Sequence, residues 1–170
     1  MSPDTIGQQG TRTLTVTGTG FTSNAAVSFS VSGITAESVK YVSSTSLSVT
    51  AVVTDAAPVG AADVTVTTRG GAGTCSGCLT VDVHPAISKL SPSSIASGAA
   101  TTITVTGTNF VSGLTVTTTI PGATVGTPTS VTSTSLSVTV TVPAGATSGK
   151  YQLRVTNPDR GIAAAALSLT

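Results

Sequence analysis

Charge and aromatic side chains are scarce in this chain. Of its 170 residues only 8% are charged, the formal net charge is +1, and the seven Lys and Arg residues do not cluster. A nucleic-acid-binding protein needs a basic surface that displaces counterions from phosphates, so nucleic acid is not an expected partner. Tryptophan is absent and only 3% of residues are aromatic, which leaves little material for stacking on sugars.

Long apolar runs are also missing. No stretch approaches the run of about 18 apolar residues that indicates a transmembrane helix, so membrane insertion is not expected. The residues that follow Met1 lack the basic start and the apolar core of a secretory signal peptide. Either the chain is part of a longer secreted protein, or it is not exported by that route.

Threonine is the abundant residue and makes up about a fifth of the chain. Apolar residues alternate with Thr and Ser, as at Leu14 and Val16 or at Ile103 and Val105. This period of two is typical of a strand with one buried face, and β-branched residues fit such a strand. Turn signals recur at regular spacing without a helical period, so we interpret even the alanine run at residues 163–166 as strand. The pattern predicts an all-β fold.

A shift of 89 residues brings the two halves of the sequence into register. Residues 13–21 (TLTVTGTGF) fall on 102–110 (TITVTGTNF), and residues 42–49 (VSSTSLSV) fall on 131–138 (VTSTSLSV). Internal repetition of this kind indicates a tandem duplication.

We therefore predict two domains, residues 1–82 and 90–170, joined by a short linker over residues 83–89. Each domain is expected to be an immunoglobulin-like β-sandwich of about seven strands. One proline stiffens the linker because it fixes its own backbone and restricts its neighbour. The two sandwiches are therefore expected to lie end to end.

Two motifs carry a family resemblance. The segment at residues 85–92 reads Pro-Ala-Ile-Ser-Lys-Leu-Ser-Pro, and the strand after it ends in Thr-Gly-Thr-Asn-Phe. Together with the later Ser-Leu-Ser-Val strand, these motifs resemble the IPT/TIG domain, and the resemblance covers nearly the whole chain twice. The motif after the first alternating strand consists, in the two repeats, of Gly18, Gly20 and Phe21 and of Gly107, Asn109 and Phe110.

The resemblance implies an early-set immunoglobulin-like sandwich, with Phe21 and Phe110 at core positions. The family occurs in bacterial surface and secreted proteins, in polysaccharide-active enzymes as an accessory domain, in animal receptors and in some transcription factors. The fold alone therefore does not give the function. The lack of a basic surface disfavours the DNA-binding branch, and the lack of further cysteines disfavours the receptor branch.

Cys75 and Cys78 are the only cysteines. We interpret them as a local disulfide that staples a glycine-rich hairpin between the last two strands of the first domain. Free thiols and a metal site are the alternatives. Zinc needs four ligands, and the one histidine, His84, lies in the predicted linker. A disulfide would favour an oxidising compartment.

No catalytic arrangement is evident, so we expect neither an enzyme nor a cofactor or metal. The acidic residues do not form a calcium loop. For glycan binding, the aromatic residues outside the expected cores are Tyr41 and Tyr151, which are weak contact candidates.

The first hypothesis is a non-catalytic structural or interaction module of an extracellular or cell-surface protein. It would serve as a spacer in a fibre, an adhesin or a self-assembling filament. Its partners would be other protein domains or copies of itself. One alternative is an accessory, glycan-binding module of a secreted polysaccharide-active enzyme. The other is a phage virion surface or decoration protein.

Overall fold

The computed structural model describes residues 1–170 and contains fifteen β-strands and no helix. The chain divides into two compact units, one built around Met1–Val83 and the other around His84–Pro158 and Ile162–Thr170. Each unit consists of two facing sheets. This architecture confirms the predicted all-β class and the two tandem immunoglobulin-like sandwiches.

The first unit contains seven strands. A four-stranded sheet has the order β1-β7-β6-β3, and a three-stranded sheet has the order β2-β5-β4. All neighbours pair antiparallel except β1 and β7, which are parallel. The strands are β1 Thr5–Gly7, β2 Thr11–Thr17, β3 Ala26–Phe29, β4 Ile34–Ser43, β5 Ser46–Val53, β6 Gly60–Thr68 and β7 Gly71–Asp82.

The second unit repeats this plan with eight strands. Its sheets have the orders β12-β13-β10-β8 and β11-β14-β15-β9. The alanine run lies within the last strand, as predicted. The strands are β8 Ala86–Ser91, β9 Ser94–Ile95, β10 Ala100–Thr108, β11 Thr115–Thr118, β12 Thr124–Val125, β13 Ser135–Thr141, β14 Gly149–Thr156 and β15 Ile162–Leu169.

Residues 83–89, which the sequence predicts to be a short linker, include the first four residues of β8. This strand pairs antiparallel with β10 and forms an edge of the second unit. The physical reason is that Leu90 is a core residue, with 7% of its side chain exposed. Ile87 also packs partly buried against the same core. Burial of these apolar side chains stabilises the segment as a strand relative to an exposed connector.

The first stretch of each repeat serves both sheets. In the second unit, β8 pairs with β10, and β9 then pairs in parallel with β15 in the opposite sheet. In the first unit, Ser2 bridges to Thr15 of β2, and β1 then pairs with β7. The chain therefore crosses from one sheet to the other at each Ser-Pro dipeptide.

The cores are aliphatic, and they differ in continuity. The buried side chains of the second unit form one cluster that extends from Leu90 to Leu169. Those of the first unit form two clusters, one around Leu14 and Leu79 and a smaller one around Leu47 and Val66. The smaller cluster lies beside an opening in this unit.

Candidate functional site

A groove of 580 Å³ opens in the first unit between the end of β2 and the β6–β7 hairpin. We call it the first-unit groove. One wall is the end of β2 and the turn after it, and the other wall is the beginning of β7. Its lining residues are Met1, Val16 to Phe21, Val64, Val66, Thr68, Gly70 to Cys75, and Cys78.

Core side chains of the first unit are partly uncovered at this groove. Val16 and Val66 are 7% and 8% exposed, whereas their counterparts Val105 and Val155 in the second unit are fully buried at 0%. Phe21 is half-buried, whereas its counterpart Phe110 is only 4% exposed. The groove therefore gives access to apolar surface that the second unit keeps closed.

One reason is a single side chain at the end of the sandwich. In the second unit, Asn157 is 2% exposed. Its amide nitrogen donates to the carbonyl oxygen of Asn109 at 2.8 Å, and its amide oxygen accepts from the backbone N–H of Val111 at 3.2 Å. These two hydrogen bonds close the loop after β14 onto the turn after β10.

The counterpart of Asn157 in the first unit is Thr68, 89 positions earlier. Its hydroxyl donates to the carbonyl of Gly71 and accepts from the N–H of Gly70, both at 3.2 Å. Both hydrogen bonds of the Thr68 hydroxyl therefore lie within its own hairpin. Because no amide bridges to the opposite turn, this end of the first sandwich stays open.

In the second unit, β8 pairs with β10 beside the equivalent place and also packs against β15. In the first unit, Ser2 bridges to Thr15 of β2. By the 89-residue offset, the positions that correspond to Ala86–Lys89 would precede Met1, so the two units are compared along this edge only from Ser2 onward.

The glycine turn has the same construction in both units. A Cβ atom on Gly18 would lie 2.6 Å from the ring of Phe21, and one on Gly107 would lie 2.6 Å from the ring of Phe110. Gly20 and Asn109 both have positive φ, at 71° and 59°, a conformation that Gly adopts freely and Asn tolerates. In each unit the motif is thus a turn in which the phenyl ring packs against a glycine. In the first unit this turn also lines the groove.

The two cysteines lie inside β7 and not at the tip of the hairpin. Between the pairs Ala62–Leu79 and Val64–Cys75, β6 has one residue while β7 has three, so the segment is a β-bulge with two extra residues. The continuous pairing of β14 with β15 shows no such bulge. The insertion is therefore peculiar to the first unit.

The bulge is held at two points. The Cα atoms of Cys75 and Cys78 lie 5.7 Å apart with the sulfur atoms in contact, a separation that suits a disulfide. The N–H of Gly77 donates to the Asp63 carboxylate at 2.8 Å. Both cysteines line the groove, so the structure brings the predicted bridge and the glycine turn to one site.

The two tyrosines lie elsewhere and in different surroundings. Tyr41 is on the edge strand β4 and is 40% exposed. Tyr151 is partly buried against the core of the second unit, and its hydroxyl donates to the Thr147 carbonyl at 2.9 Å. Only Tyr41 offers a free aromatic face.

The lining of the groove contains no acid, base or histidine. No group of three or more His, Cys, Asp or Glu residues in the chain is placed to hold a metal ion, and no helix is long and apolar enough to cross a membrane. Outside the groove, burial raises the pKa of the Asp82 carboxyl above its usual value. The groove can therefore offer apolar contact together with hydrogen bonds from backbone groups and threonine hydroxyls.

Sequence reasoning missed the groove. A signal was present at position 68, where the 89-residue alignment sets a threonine against Asn157. A second signal was the glycine-rich start of β7, where Gly73 corresponds by strand pairing to Ala163. Both differences leave fewer side-chain atoms over Val16 and Val66. Their effect can be recognised only when the pairing register of the strands is known.

Two stretches of the chain match the IPT/TIG domain, residues 1–83 and residues 85–170. No curated protein matches the chain in sequence. Many solved structures share its fold.

The extracellular region of plexin A4 is similar with a TM-score of 0.55 at 15% identity, over 89% of this chain and 14% of that one. An I-band fragment of titin gives a TM-score of 0.37 at 15% identity over 98% of this chain, which spans 61% of the fragment. The adhesin InvE of Yersinia pseudotuberculosis gives 0.39 at 15% identity, over 99% of this chain and 57% of that one. At such identities the similarity concerns the fold alone.

Proposed function

Because the chain belongs to the IPT/TIG family through two consecutive domains, we propose that it is a non-catalytic structural and interaction module of an extracellular or cell-surface protein. The role that we assign to it is a spacer in a fibre, an adhesin or a self-assembling filament. Its partners are other protein domains or copies of itself.

The observation that carries this proposal is the chemistry of the groove. A large opening in an enzyme normally brings together groups that can exchange protons, act as nucleophiles or bind a metal. The first-unit groove instead presents aliphatic, glycine and threonine residues beside one cysteine pair. Such a surface is suited to holding another polypeptide and not to transforming a substrate.

The proposed location outside the cytoplasm rests on the cysteine pair. The Cα separation of 5.7 Å between Cys75 and Cys78 supports a disulfide, and disulfides persist mainly in oxidising compartments. We propose that the pair is oxidised in the native protein. Thiol titration of denatured protein from its native source should find no free thiol, and two reactive thiols would contradict the bridge.

Self-assembly has a structural candidate in β4. This edge strand has ten residues and exposes Tyr41 and Val42, at 40% and 58%. Long edge strands with few charges can pair with other chains, whereas bulges oppose such pairing. In β4, Glu37 and Lys40 are the only charges, and the pairing with β5 shifts register at two places.

Sedimentation and electron microscopy over a concentration series test the assembly role. We expect association that weakens in Val42→Lys, because a charge on an edge strand opposes pairing. Val59→Lys is the matched control, since Val59 is 56% exposed and precedes β6 outside any strand. A chain that stays monomeric at high concentration would count against self-assembly.

Glycan binding by an accessory module is the second candidate, and the exposure of Tyr41 favours it. An oligosaccharide array should then show binding that is lost in Tyr41→Ala and kept in Tyr151→Phe, because the ring of Tyr151 is partly buried. Equal loss in both variants, or no binding, would remove this alternative. The virion-surface alternative stays a prediction.

A further inference from the structure

We propose that the Cys75–Cys78 bridge is a redox switch that selects between two pairing registers of the β6–β7 hairpin. With the bridge formed, the hairpin has the register of the structure, which contains the bulge. With the bridge reduced, β7 can slip along β6 by two residues into a register without the bulge. This inference rests on the proposed oxidation of the cysteine pair and on no other part of the proposed function.

The bulge-free register follows from the pairs that lie below the bulge. Ala62 pairs with Leu79 there, and Val66 pairs with Gly73 above the bulge. If pairing continued from Ala62 and Leu79 without extra residues, Val66 would lie opposite Cys75. The slip therefore brings Cys75 to the place on β7 that Gly73 has in the bulged register.

The second unit already has the bulge-free register. Its strands β14 and β15 pair continuously, with Val155 opposite Ala163. Val155 is the counterpart of Val66 by the 89-residue offset, so Ala163 marks the place that Cys75 would take. Ala163 is partly buried, and cysteine is another small side chain that is often buried. The bulge-free register is therefore a form of the hairpin that this fold accommodates.

A slip of two residues keeps every side chain of β7 on its own face of the sheet, because the side-chain period of a strand is two. On the outer face, the hydroxyl oxygens of Thr65 and Thr74 lie 2.9 Å apart, and the slip sets Ser76 opposite Thr65 instead. On the inner face, the slip replaces Gly73 with Cys75. A hydroxyl thus takes the place of a hydroxyl, and one small residue takes the place of another.

The first half of β7 specifies its register weakly. Glycine occupies positions 71, 73 and 77, and strands rich in glycine are prone to slippage. The connection between the strands can also lengthen. It has two residues, Arg69 and Gly70, in the bulged register, where Thr68 pairs with Gly71, and the slip would make it residues 69–72. Hairpin loops of about four residues are also common.

The bridge is compatible with the bulged register alone. The Cα atoms of Cys75 and Cys78 lie 5.7 Å apart across the bulge. A regular strand advances by about 3.3 Å per residue, so the same two atoms would be about 10 Å apart without the bulge. Cysteines whose Cα atoms are more than about 7 Å apart cannot form a disulfide. The bridge therefore holds the bulge in place, and its reduction allows the slip.

Two other features favour the bulged register and remain after reduction. Gly77 has a φ of 62°, a conformation that glycine adopts freely, and its N–H donates to the Asp63 carboxylate at 2.8 Å. A regular strand has negative φ, so the slip gives up both features. The reduced hairpin should therefore populate both registers, and each passage between them breaks the hydrogen bonds of the hairpin.

The switching step is a two-electron reduction by a dithiol. One thiolate of the reductant attacks a sulfur of the bridge and forms a mixed disulfide, and its second thiolate then closes the reductant's own disulfide. Two electrons and two protons pass to Cys75 and Cys78, which become thiols. Ser76 and Gly77, between the two cysteines, are exposed, so the bulge is accessible to the reductant.

NMR of the intact chain before and after reduction tests the switch. Thiol titration first checks that the starting protein has no free thiol. After reduction with a small dithiol, we expect a second set of amide signals from the β6–β7 hairpin, from on the order of a tenth of the molecules or more. This set should show cross-strand contacts between Val66 and Cys75. The β14–β15 signals should stay unchanged, and reoxidation should remove the second set.

Engineered disulfides can capture each register in a chain without the natural bridge. In the background of Cys75→Ser with Cys78→Ser, the pair Thr65→Cys with Ser76→Cys joins positions that lie opposite each other only after the slip. The matched control is Thr65→Cys with Thr74→Cys, which joins a pair of the bulged register. Opposite residues have Cα atoms about 4.5–5.5 Å apart, which a disulfide can span. Mild oxidation should therefore remove both thiols in each variant.

A reduced chain with one set of signals and the pairing of the oxidised chain would overturn the switch. The same conclusion would follow if Thr65→Cys with Ser76→Cys kept both thiols while the control pair lost them. Either result would leave the proposed function intact. Two free thiols in protein from its native source would instead contradict the proposed oxidised pair, and the switch with it. The two failures are therefore distinguishable.

Discussion

At the scale of single residues, Asn157 and Thr68 show how one side chain decides whether a sandwich end is closed. Asn157 bonds a carbonyl and an N–H of the same turn, those of Asn109 and Val111. A hydroxyl on a short side chain cannot do both across the same distance. Thr68 therefore bonds locally, and the core beside it is more exposed.

Asn157→Ala should destabilise the second unit by about 1–3 kcal/mol, because it removes two part-buried hydrogen bonds. Denaturant unfolding measures the loss. Thr68→Asn is the reciprocal change and should stabilise the first unit, since the turn around Phe21 offers the same backbone groups. Equal, small effects of both substitutions would show that the amide bridge does not close the sandwich.

Asp82 gives a prediction about pH. Burial raises the pKa of its carboxyl in the folded protein, so folding favours the protonated form. The stability that this proton confers is fully present below the unfolded pKa of about 3.9 and is lost as pH rises through the folded pKa. Asp82→Asn should therefore be more stable than the parent chain at pH 7.

The stability difference between Asp82→Asn and the parent should shrink toward zero near pH 3, where the carboxyl is protonated in both states. Chemical denaturation at the two pH values measures it. Asp4→Asn, at an exposed position, is the control for a general charge effect. A difference that persists at low pH would show that the amide acts by some other means than removing the charge.

At the scale of elements, the β6–β7 hairpin of the first unit differs from its counterpart by the bulge at residues 75–78. The extra residues interrupt the pairing of β6 with β7 between the pairs Val64–Cys75 and Ala62–Leu79. Asp63 and the cysteine pair then hold the bulge from both strands. Both cysteines of this bulge line the groove.

Replacing both cysteines, as Cys75→Ser with Cys78→Ser, should lower the stability of the first unit by about 2 kcal/mol, the chain-entropy value for so small a loop. Amides from Thr74 to Leu79 should then exchange faster with solvent, while the second unit keeps its exchange rates. Ser76→Ala is the matched control within the same loop. Unchanged exchange in the double variant would contradict a stabilising bridge.

The sequence was sufficient for elements whose pattern is local. The alternation at Leu14 and Val16 predicted β2, and the 89-residue offset predicted the same strand again as β10. Residues 86–89 of β8 lie within the predicted linker. Ile87 and Leu90 are spaced by three, which is not the alternation that indicates a strand. A bulge between Thr106 and Gly107 explains that spacing, and bulges depend on the partner strand.

The groove was beyond sequence reasoning for a related reason. It results from what is missing around Val16 and Val66, namely an amide at position 68 and a methyl group at position 73. Composition and periodicity report the atoms that are present. The absence of covering atoms becomes visible only when the two units are compared position by position.

At the scale of the whole molecule, one fold occurs twice with different core packing. The second unit has a single continuous core, whereas the first has two clusters and an open groove. Local openings in native proteins occur where few apolar contacts cover the backbone. The first unit should therefore open locally at lower cost than the second.

Hydrogen exchange on the intact chain can measure this difference. Amides at Thr17 and Gly73 should exchange faster than those at their counterparts Thr106 and Ala163, because the groove exposes the first pair to water. Val49 and Val138, fully or almost fully buried in the two cores, serve as internal references. Equal protection at the groove and at its covered counterpart would contradict a locally weaker first unit.

The 89-residue repetition also has a consequence for how the chain reaches its native state. β5 and β13 share the segment Ser-Leu-Ser-Val, and each pairs with a strand of nearly the same sequence, β2 or β10. During refolding, each of these strands can therefore dock on the wrong neighbour and still bury its apolar face, a known hazard of adjacent similar repeats. A slow, concentration-independent refolding phase, absent from residues 84–170 alone, would reveal such mispaired chains. The two final hairpins differ, since β6–β7 contains a bulge and β14–β15 does not. Strands of these hairpins are therefore the least able to replace one another, and they should disfavour pairing with the wrong repeat.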